Sequence, residues 1–415
     1  MAFIVMILGI LNLFLPFILR INLMNAYGVW YLYYFFGAFI PCVLYFMGSL
    51  KTSFDFILDL DSYYYGFICI FIAFTISTFF CLPFRKKRIH KEKIKITTLG
   101  LDIISIASIF FFLIYFSVSI WAYGGFLNFI ESSYSRVRTN NSIVNFVSIF
   151  MWGSVVFSII SYYAMKEISL SKRLKFQIYI AILCGLIISL MAGGRAVLAF
   201  YLFALLTKYI LTQKKYKVFL IGIATSLVFF IASYFIIYYR FYVQSQGNIA
   251  IDDLDSTEAL NGLVFVDHIM LSIKYASIKG FDYGAVYLNS FISFLPRGIF
   301  EDKATALAFQ MRGFAFGDET AGVPPGLFGE AYIAIGIWGV ILISIIYGRF
   351  LYVTTVIYNN AIENNCNIRF AILGIIIPLF GFLLVRIGID LGFLRIGMPL
   401  FFCWLGSKII SLKYR

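Results

Sequence analysis

The sequence predicts an all-α, polytopic integral membrane protein, and three observations carry that prediction. Of 415 residues, 62% are hydrophobic and only 13% charged, whereas a soluble domain is about 45–50% apolar and about 25% charged. Apolar runs long enough to cross a bilayer core of about 30 Å, about 20 residues each as helix, recur along almost the whole chain. Lysine and arginine gather in short clusters between those runs instead of spreading evenly.

About eleven transmembrane helices are expected, within a range of ten to twelve. Residues 2–19 form the first; the run has no basic leading region and no small-residue cleavage site, and it meets Pro16 and Arg20, so it reads as a retained helix and not a signal peptide. The second, 27–48, opens on the aromatic cluster "YGVWYLYYFF", and the third, 63–84, follows the acidic run "DFILDLD". The fourth and fifth, 99–123 and 143–165, are bounded by charged breaks, and 176–192 with 196–212 makes a tight hairpin around "AGGRA". The eighth span is 218–239, and the last three are 327–348, 370–388 and 393–410. The chain thus divides into residues 1–239 with spans one to eight, a long loop at 240–326, and residues 327–415 with spans nine to eleven.

Orientation follows from the excess of basic residues in cytoplasmic loops. The clusters "RKKRIHKEKIK" (85–95), "KEISLSKRLK" (166–175), "KKYK" (214–217) and "SKIISLKYR" (407–415) fall on one side when eleven spans alternate. The N-terminus is then outside, and the 240–326 loop is extracytoplasmic. Most of the formal +13 charge is accounted for as a topology signal, which removes the main support for nucleic-acid binding. The six cysteines lie in apolar runs or, for Cys366, in a cytoplasmic loop, so neither a disulfide framework nor a thiolate metal site is expected. Aromatic clusters at span ends, such as "SYYYGF" at 62–67, read as an interfacial belt, with ring faces stacking on sugars as the alternative.

The 240–326 loop is where function is expected, because every other connection is short. Leu260, Leu263, Val264, Val266, Ile269, Met270 and Ile273 recur at helical spacing, with Ser256 or Thr257 as a capping residue. Residues 284–300 are too short and too broken by Pro296 to span and are read as interfacial. No internal repeat is visible, which weighs against a transporter built from duplicated halves.

Arg195 sits at the tip of the hairpin between the sixth and seventh spans, after Gly193 and Gly194. A guanidinium cannot shed its charge, so it must snorkel, pair or bind an anion, and the helix beginning there offers N-terminal amides as well. Arg240, Arg297, Arg312, Arg386 and Arg395 share the outer level, and several planar forks there suit a phosphate or pyrophosphate. Asp390, four residues after Arg386, offers that arginine a simple internal pair. His268, preceded by Asp267, is the one histidine outside the basic cytoplasmic loop and a candidate general base. Glu330 needs a partner at its depth and either pairs with an arginine or binds a substrate hydroxyl. The acidic runs at 55–61 and 251–255 match no ligand loop for a divalent cation and read as solvated faces.

With "AGGRA" at 192–196, "LPRGIFEDK" at 295–303 and "GLFGEAYIAIGIWGVI" at 326–341, the chain resembles the Wzy-type O-antigen or capsule polymerases, which join oligosaccharide repeat units. The resemblance covers about 150 residues plus the span pattern, and it departs from the commoner even number of spans. It implies a GT-C-like glycosyltransferase architecture in a bacterial cytoplasmic membrane, working on its outer face. Undecaprenyl-diphosphate-linked donor and acceptor are the implied substrates, with a chain-length regulator and a flippase as partners. On that reading Arg195, Arg240, Arg297 and Arg312 hold the donor diphosphate, and His268 or Glu330 serves the acceptor. Neither cofactor nor metal is expected.

Two other readings use the same residues. In a lipid-linked oligosaccharide flippase the arginines would line a route for the diphosphate, and in a metal-dependent glycosyltransferase the 55–61 run would hold the ion. The topology has its own test: a reporter active only outside the cell should be silent when fused after residue 95 and active when fused near residue 260, and the reverse pattern would invert the scheme.

Overall fold

The computed structural model describes residues 2–49, 52, 54–82, 96–135, 142–191, 195–212, 266–293, 305–318, 322–389 and 392–411. All regular secondary structure among these residues is helical. In chain order the helices are α1 (Ala2–Ile18), α2 (Ala26–Phe46), α3 (Leu60–Phe80), α4 (Thr98–Ala122), α5 (Phe126–Ser135), α6 (Ser142–Ala164), α7 (Lys172–Met191) and α8 (Arg195–Thr212). After them come α9 (Val266–Lys279), α10 (Ala285–Ser293), α11 (Leu307–Phe316), α12 (Gly326–Ile335), α13 (Ile337–Asn364), α14 (Asn367–Ile387) and α15 (Gly392–Ile409). Seven of these are long and apolar enough to cross a membrane, which makes the chain a multi-pass membrane protein.

The expected spans at 27–48, 63–84, 99–123, 143–165, 176–192 and 370–388 each coincide with one of those seven helices. The runs at 2–19 and 196–212 form the shorter apolar helices α1 and α8, 393–410 forms α15, and the expected span at 218–239 lies outside the described residues. The ninth expected span, 327–348, is not one helix. It breaks at Gly336 into the short α12 and the 28-residue α13. Gly336 has φ of 65° and ψ of −146°, a conformation that side-chain-bearing residues avoid, and hydropathy alone does not register such a break.

Helix starts follow local chemistry. Asn25 accepts from the Tyr27 N–H at 2.9 Å, Asp59 from Ser62 at 2.9 Å and Thr97 from Gly100 at 3.1 Å, each satisfying an amide that the first turn leaves without a partner. α2 and α14 each carry one π turn, at Phe35–Phe39 and Leu379–Leu383. Pro41 follows the first closely and Pro378 precedes the second. Proline has no N–H to give, so the ladder re-pairs one residue further along, widening the helix.

The chain folds into two compact units. The first comprises Met1–Arg88, Ser256–Val356 and Ile377–Ile396, and its core is aromatic. Trp30 on α2 is fully buried, with ring centroids 5.7 Å from Phe74, 5.6 Å from Phe328 and 5.6 Å from Tyr347. Its indole N–H donates to the Ser77 hydroxyl at 3.1 Å. α9 lies against α3 and α12, with Ile269, Met270 and Ile273 buried, so the apolar stripe expected there faces protein.

The second unit comprises Ile89–Asp255, Ile357–Ile376 and Gly397–Arg415. Along α4 the exposed residues Ile103, Ile106, Phe110 and Leu113 form one apolar stripe, while Ser105, Ser108 and Ser119 are buried on another. This is the arrangement lipid demands: apolar groups outward, and small residues inward where helices approach closely. The Ser108 hydroxyl donates to the Ser154 carbonyl on α6 at 2.9 Å. Gln177 on α7 donates to Asp102 at 2.9 Å and to Ser105 at 2.7 Å, so the carboxylate near the start of α4 has a partner.

Replacing Trp30 with alanine should cost about 3 kcal/mol or more, the usual loss for a large buried ring, seen as a lower thermal midpoint in detergent. Trp30→Phe keeps most ring contacts and should lose less. Equal midpoints for wild type and Trp30→Ala would mean that this ring cluster does not hold the first unit.

Candidate functional site

The first unit brings together polar groups that the sequence scatters over about 120 residues. Asp267 and His268 occupy the first turn of α9, Glu330 lies in the middle of α12, and Arg386 is in the last turn of α14. α12 packs on both α9 and the end of α14, and these contacts position the cluster.

Glu330 is fully buried. Its carboxylate accepts the Ile389 N–H at 2.6 Å, just beyond the end of α14. Gly388, with φ of 70°, turns the chain there, and a β-carbon on it would overlap the Glu330 carboxylate. A buried charge is tolerated only where hydrogen bonds replace water, and this corner supplies one through the main chain. The sequence reading offered an arginine partner or a substrate hydroxyl for Glu330; the backbone amide is a third, unforeseen partner.

His268 has a side chain 22% exposed, with Nε2 3.8 Å from the Asp267 carboxyl. The ring of Phe54 meets it edge-on at 5.7 Å. Asp267, nearly fully buried, accepts the His268 main-chain N–H at 2.8 Å. Among the described residues nothing hydrogen-bonds His268 Nδ1. Burial, and next the nearby Arg386 cation, pushes the His268 pKa down to about 4. Burial raises that of Asp267 to about 7, against the opposing pull of the His268 amide and Arg386. Near neutrality the imidazole is therefore uncharged and the contact with Asp267 is no salt bridge. The Pro324 carbonyl beside the ring opposes the His268 shift without reversing it. A neutral imidazole is the form a general base needs.

Arg386 completes the cluster. Its guanidinium lies 5.7 Å over the Phe382 ring, and Phe382 in turn meets Tyr33 at 4.7 Å. Both rings belong to helices with π turns, a local geometry often found at functional sites. From sequence, Arg386 had either Asp390 as an internal partner or a phosphate to grip; that aspartate lies outside the described residues, and the structure sets Arg386 beside α9. The signal that could have joined it to α9 was weak: one arginine in an apolar run, more than a hundred residues from His268.

The remaining sequence candidates stand as follows. Arg312 on α11 makes two hydrogen bonds to Asp318, at 2.8 and 3.0 Å, and lies 5.1 Å from the Phe316 ring. An anion at Arg312 must therefore displace a carboxylate. Arg195 is the first residue of α8, in the second unit, and its side chain lies outside the described ones. Arg240 and Arg297 lie outside the described residues altogether, as does the acidic run at 251–255. The 55–61 run is taken up locally: Asp55 accepts from Thr52 at 3.0 Å and from the Tyr63 hydroxyl, and Asp59 caps α3 and pairs with Lys274 at 2.6 Å. The Lys274 ammonium, with Ser62, holds the Asp59 carboxyl well below the usual carboxylate range. Among the described residues no group of three or more histidine, cysteine, aspartate or glutamate side chains is placed to hold a metal ion.

Comparisons with protein-family models, with curated proteins and with solved structures find no match to this chain.

The two shifted groups fix a pH dependence of stability. Folded Asp267 keeps a proton that the unfolded chain releases near 3.8, so stability falls as pH rises from about 4 to about 7. Folded His268 refuses a proton that the unfolded chain takes near 6.5, so stability also falls as pH drops from about 6.5 to about 4. Asp267→Asn should therefore raise the thermal midpoint more at about pH 8 than at about pH 4, and His268→Asn the reverse. Midpoint changes independent of pH in both variants would contradict the assigned protonation states.

Proposed function

We propose that this protein is a membrane glycosyltransferase that polymerises lipid-linked oligosaccharide repeat units on the outer face of a bacterial cytoplasmic membrane. The observation that carries the reading is the α9 corner: a neutral, partly exposed His268, backed by Asp267, beside the Arg386 cation. A base next to a fixed positive charge is what transfer from a sugar diphosphate requires. Resemblance to the repeat-unit polymerases supplies the substrate, an undecaprenyl-diphosphate-linked glycan as both donor and acceptor.

In the proposed step an acceptor hydroxyl attacks the anomeric carbon of the donor. The new C–O bond forms as the bond to the diphosphate breaks, the electron pair leaves with the diphosphate, and the hydroxyl proton passes to His268. Arg386 stabilises the negative charge that grows on the leaving group, in a site where few water molecules compete. Glu330, held by the Ile389 amide, orients an acceptor hydroxyl. Arg195, Arg240 and Arg297 enter this reading as diphosphate ligands from sequence alone, and Arg312 does so only if Asp318 gives way. Polymerisation of this kind needs no nucleotide, since the donor carries its own leaving group. A chain-length regulator and a flippase are the proposed partners.

In a strain lacking the native gene, wild-type protein should restore a ladder of surface polysaccharide. His268→Ala and Arg386→Ala should leave a single-repeat band at normal protein levels, a rate loss of about 100-fold or more for removal of a base or a charge stabiliser. Activity of the purified enzyme should persist in chelator and decline as pH falls toward 4, where His268 takes up its own proton. If Arg195→Ala and Arg297→Ala both keep normal polymer length, the diphosphate clamp is abandoned. Lipid-linked units stranded on the cytoplasmic leaflet of the deletion strain would indicate a flippase instead.

A further inference from the structure

A concavity lies further along α9 from His268, in the same unit. It has a volume of about 380 Å³, and among its walls are Asp59, Asp61, Tyr65, Phe281 and Tyr332. That volume lies within the range of small-ligand pockets. Its floor is formed by Ala276 and Ser277 on α9. At 1.5 Å of rise per residue these lie about 12–14 Å along the helix axis from His268. Glu330 and Tyr332 are likewise two residues apart on α12. The two helices that carry the candidate catalytic groups therefore also build this cavity.

Its walls are fixed in place. Asp59 caps α3 and clips it to α9 through Lys274 at 2.6 Å. Phe281 is held by the end of α12: the next two main-chain N–H groups, of Asp282 and Tyr283, donate to the carbonyls of Ile333 and Ala334 at 3.0 and 2.9 Å. The Asp282 carboxylate then closes the turn by accepting from Gly284 at 2.9 Å and Val286 at 3.0 Å. Phe281 meets the Tyr332 ring at 6.2 Å, and both Phe281 (44%) and Tyr65 (47%) keep enough ring surface exposed to receive a ligand.

We propose that this cavity is a saccharide subsite for an uncharged sugar, the aromatic faces meeting its C–H surface and the Asp61 carboxylate accepting from its hydroxyls. Three aromatic side chains converge here on one concavity together with that acceptor, whereas Asp59 is already taken up by Ser62 and Lys274. Two carboxylates against one lysine repel phosphates, uronic acids and other anions. A polyamine is disfavoured because Lys274 already occupies Asp59, leaving Asp61 as the cavity's remaining charge. Binding energy gathered at this distance from the reacting bond can hold an acceptor in position for transfer. The sugar's place in a lipid-linked repeat unit rests on the function proposed above; the subsite itself does not.

The test uses the full-length protein in lipid nanodiscs and saturation-transfer NMR. The probes are four neutral disaccharides (lactose, maltose, mannobiose and N,N′-diacetylchitobiose), a hyaluronan disaccharide as an acidic probe, and spermidine. At least one neutral disaccharide should receive saturation, and Tyr65→Ala and Phe281→Ala should each weaken its binding about five-fold or more. That factor corresponds to about 1 kcal/mol at an RT of about 0.59 kcal/mol, the scale of one ring contact. Tyr65→Phe and Phe281→Trp, which preserve the rings and guard against misfolding, should retain binding. The hyaluronan disaccharide should bind only after Asp61→Asn. Absence of transfer to all four neutral sugars, binding unchanged by both alanine variants, or displacement of the sugar by spermidine would overturn the subsite. Sugar binding that behaves as expected in a protein whose deletion leaves the polysaccharide ladder intact would sink the polymerase reading and keep the subsite. A ladder lost in His268→Ala with no sugar bound at the cavity would do the opposite.

Discussion

The candidate site depends on one buried carboxylate finding a main-chain donor. Glu330 has no exposure to solvent, and the Ile389 N–H reaches it only because Gly388 turns the chain without a side chain in the way. That bond ties α12 to the end of α14, and the same last turn carries Arg386. Together with the packing of α12 on α9 and on the end of α14, the tie fixes where the arginine sits relative to α9. Buried polar groups are costly when half-satisfied and specifying when satisfied, and here the specification falls on the residues with chemical potential.

Electrostatics then sorts the roles. A cation beside a carboxyl and an imidazole pulls both toward their deprotonated forms, while burial opposes charge on either. For His268 the two effects act together, and the imidazole is neutral. For Asp267 they oppose one another, burial wins, and the acid holds its proton to about neutral pH. Arg386 supplies the positive charge that both groups feel. A neutral base beside a cation follows from that competition.

The second unit shows how the same alphabet behaves when lipid is the outer solvent. Some of its buried serines bond their hydroxyls to carbonyls of their own or adjacent helices, as Ser108 does to Ser154 and Ser189 to Gly185. Charged groups of this unit find partners as well: Lys208 donates to Asn367 at 2.6 Å, and Glu167 accepts the Asn367 main-chain N–H. Hydrophobic burial contributes little to helix association in lipid, so close approach and hydrogen bonding must hold these helices together. The same logic explains why the aromatic core around Trp30 includes a hydrogen bond to Ser77 as well as ring contacts.

Sequence alone determined that the chain crosses a membrane repeatedly as helices, because twenty consecutive apolar residues have few other fates in water or lipid. It also pointed to His268 and Glu330 as the groups with chemistry to perform, since ionisable residues among apolar ones need a reason. It did not reveal the break at Gly336, because hydropathy records composition and is blind to a single backbone dihedral. Nor did it join Arg386 to His268: nearness along the chain favoured Asp390, whereas nearness in space is made by α12 packing on α9 and α14. Which acid meets which amide, and which cation faces which base, is decided by contacts between helices far apart in sequence, and only the tertiary fold contains them.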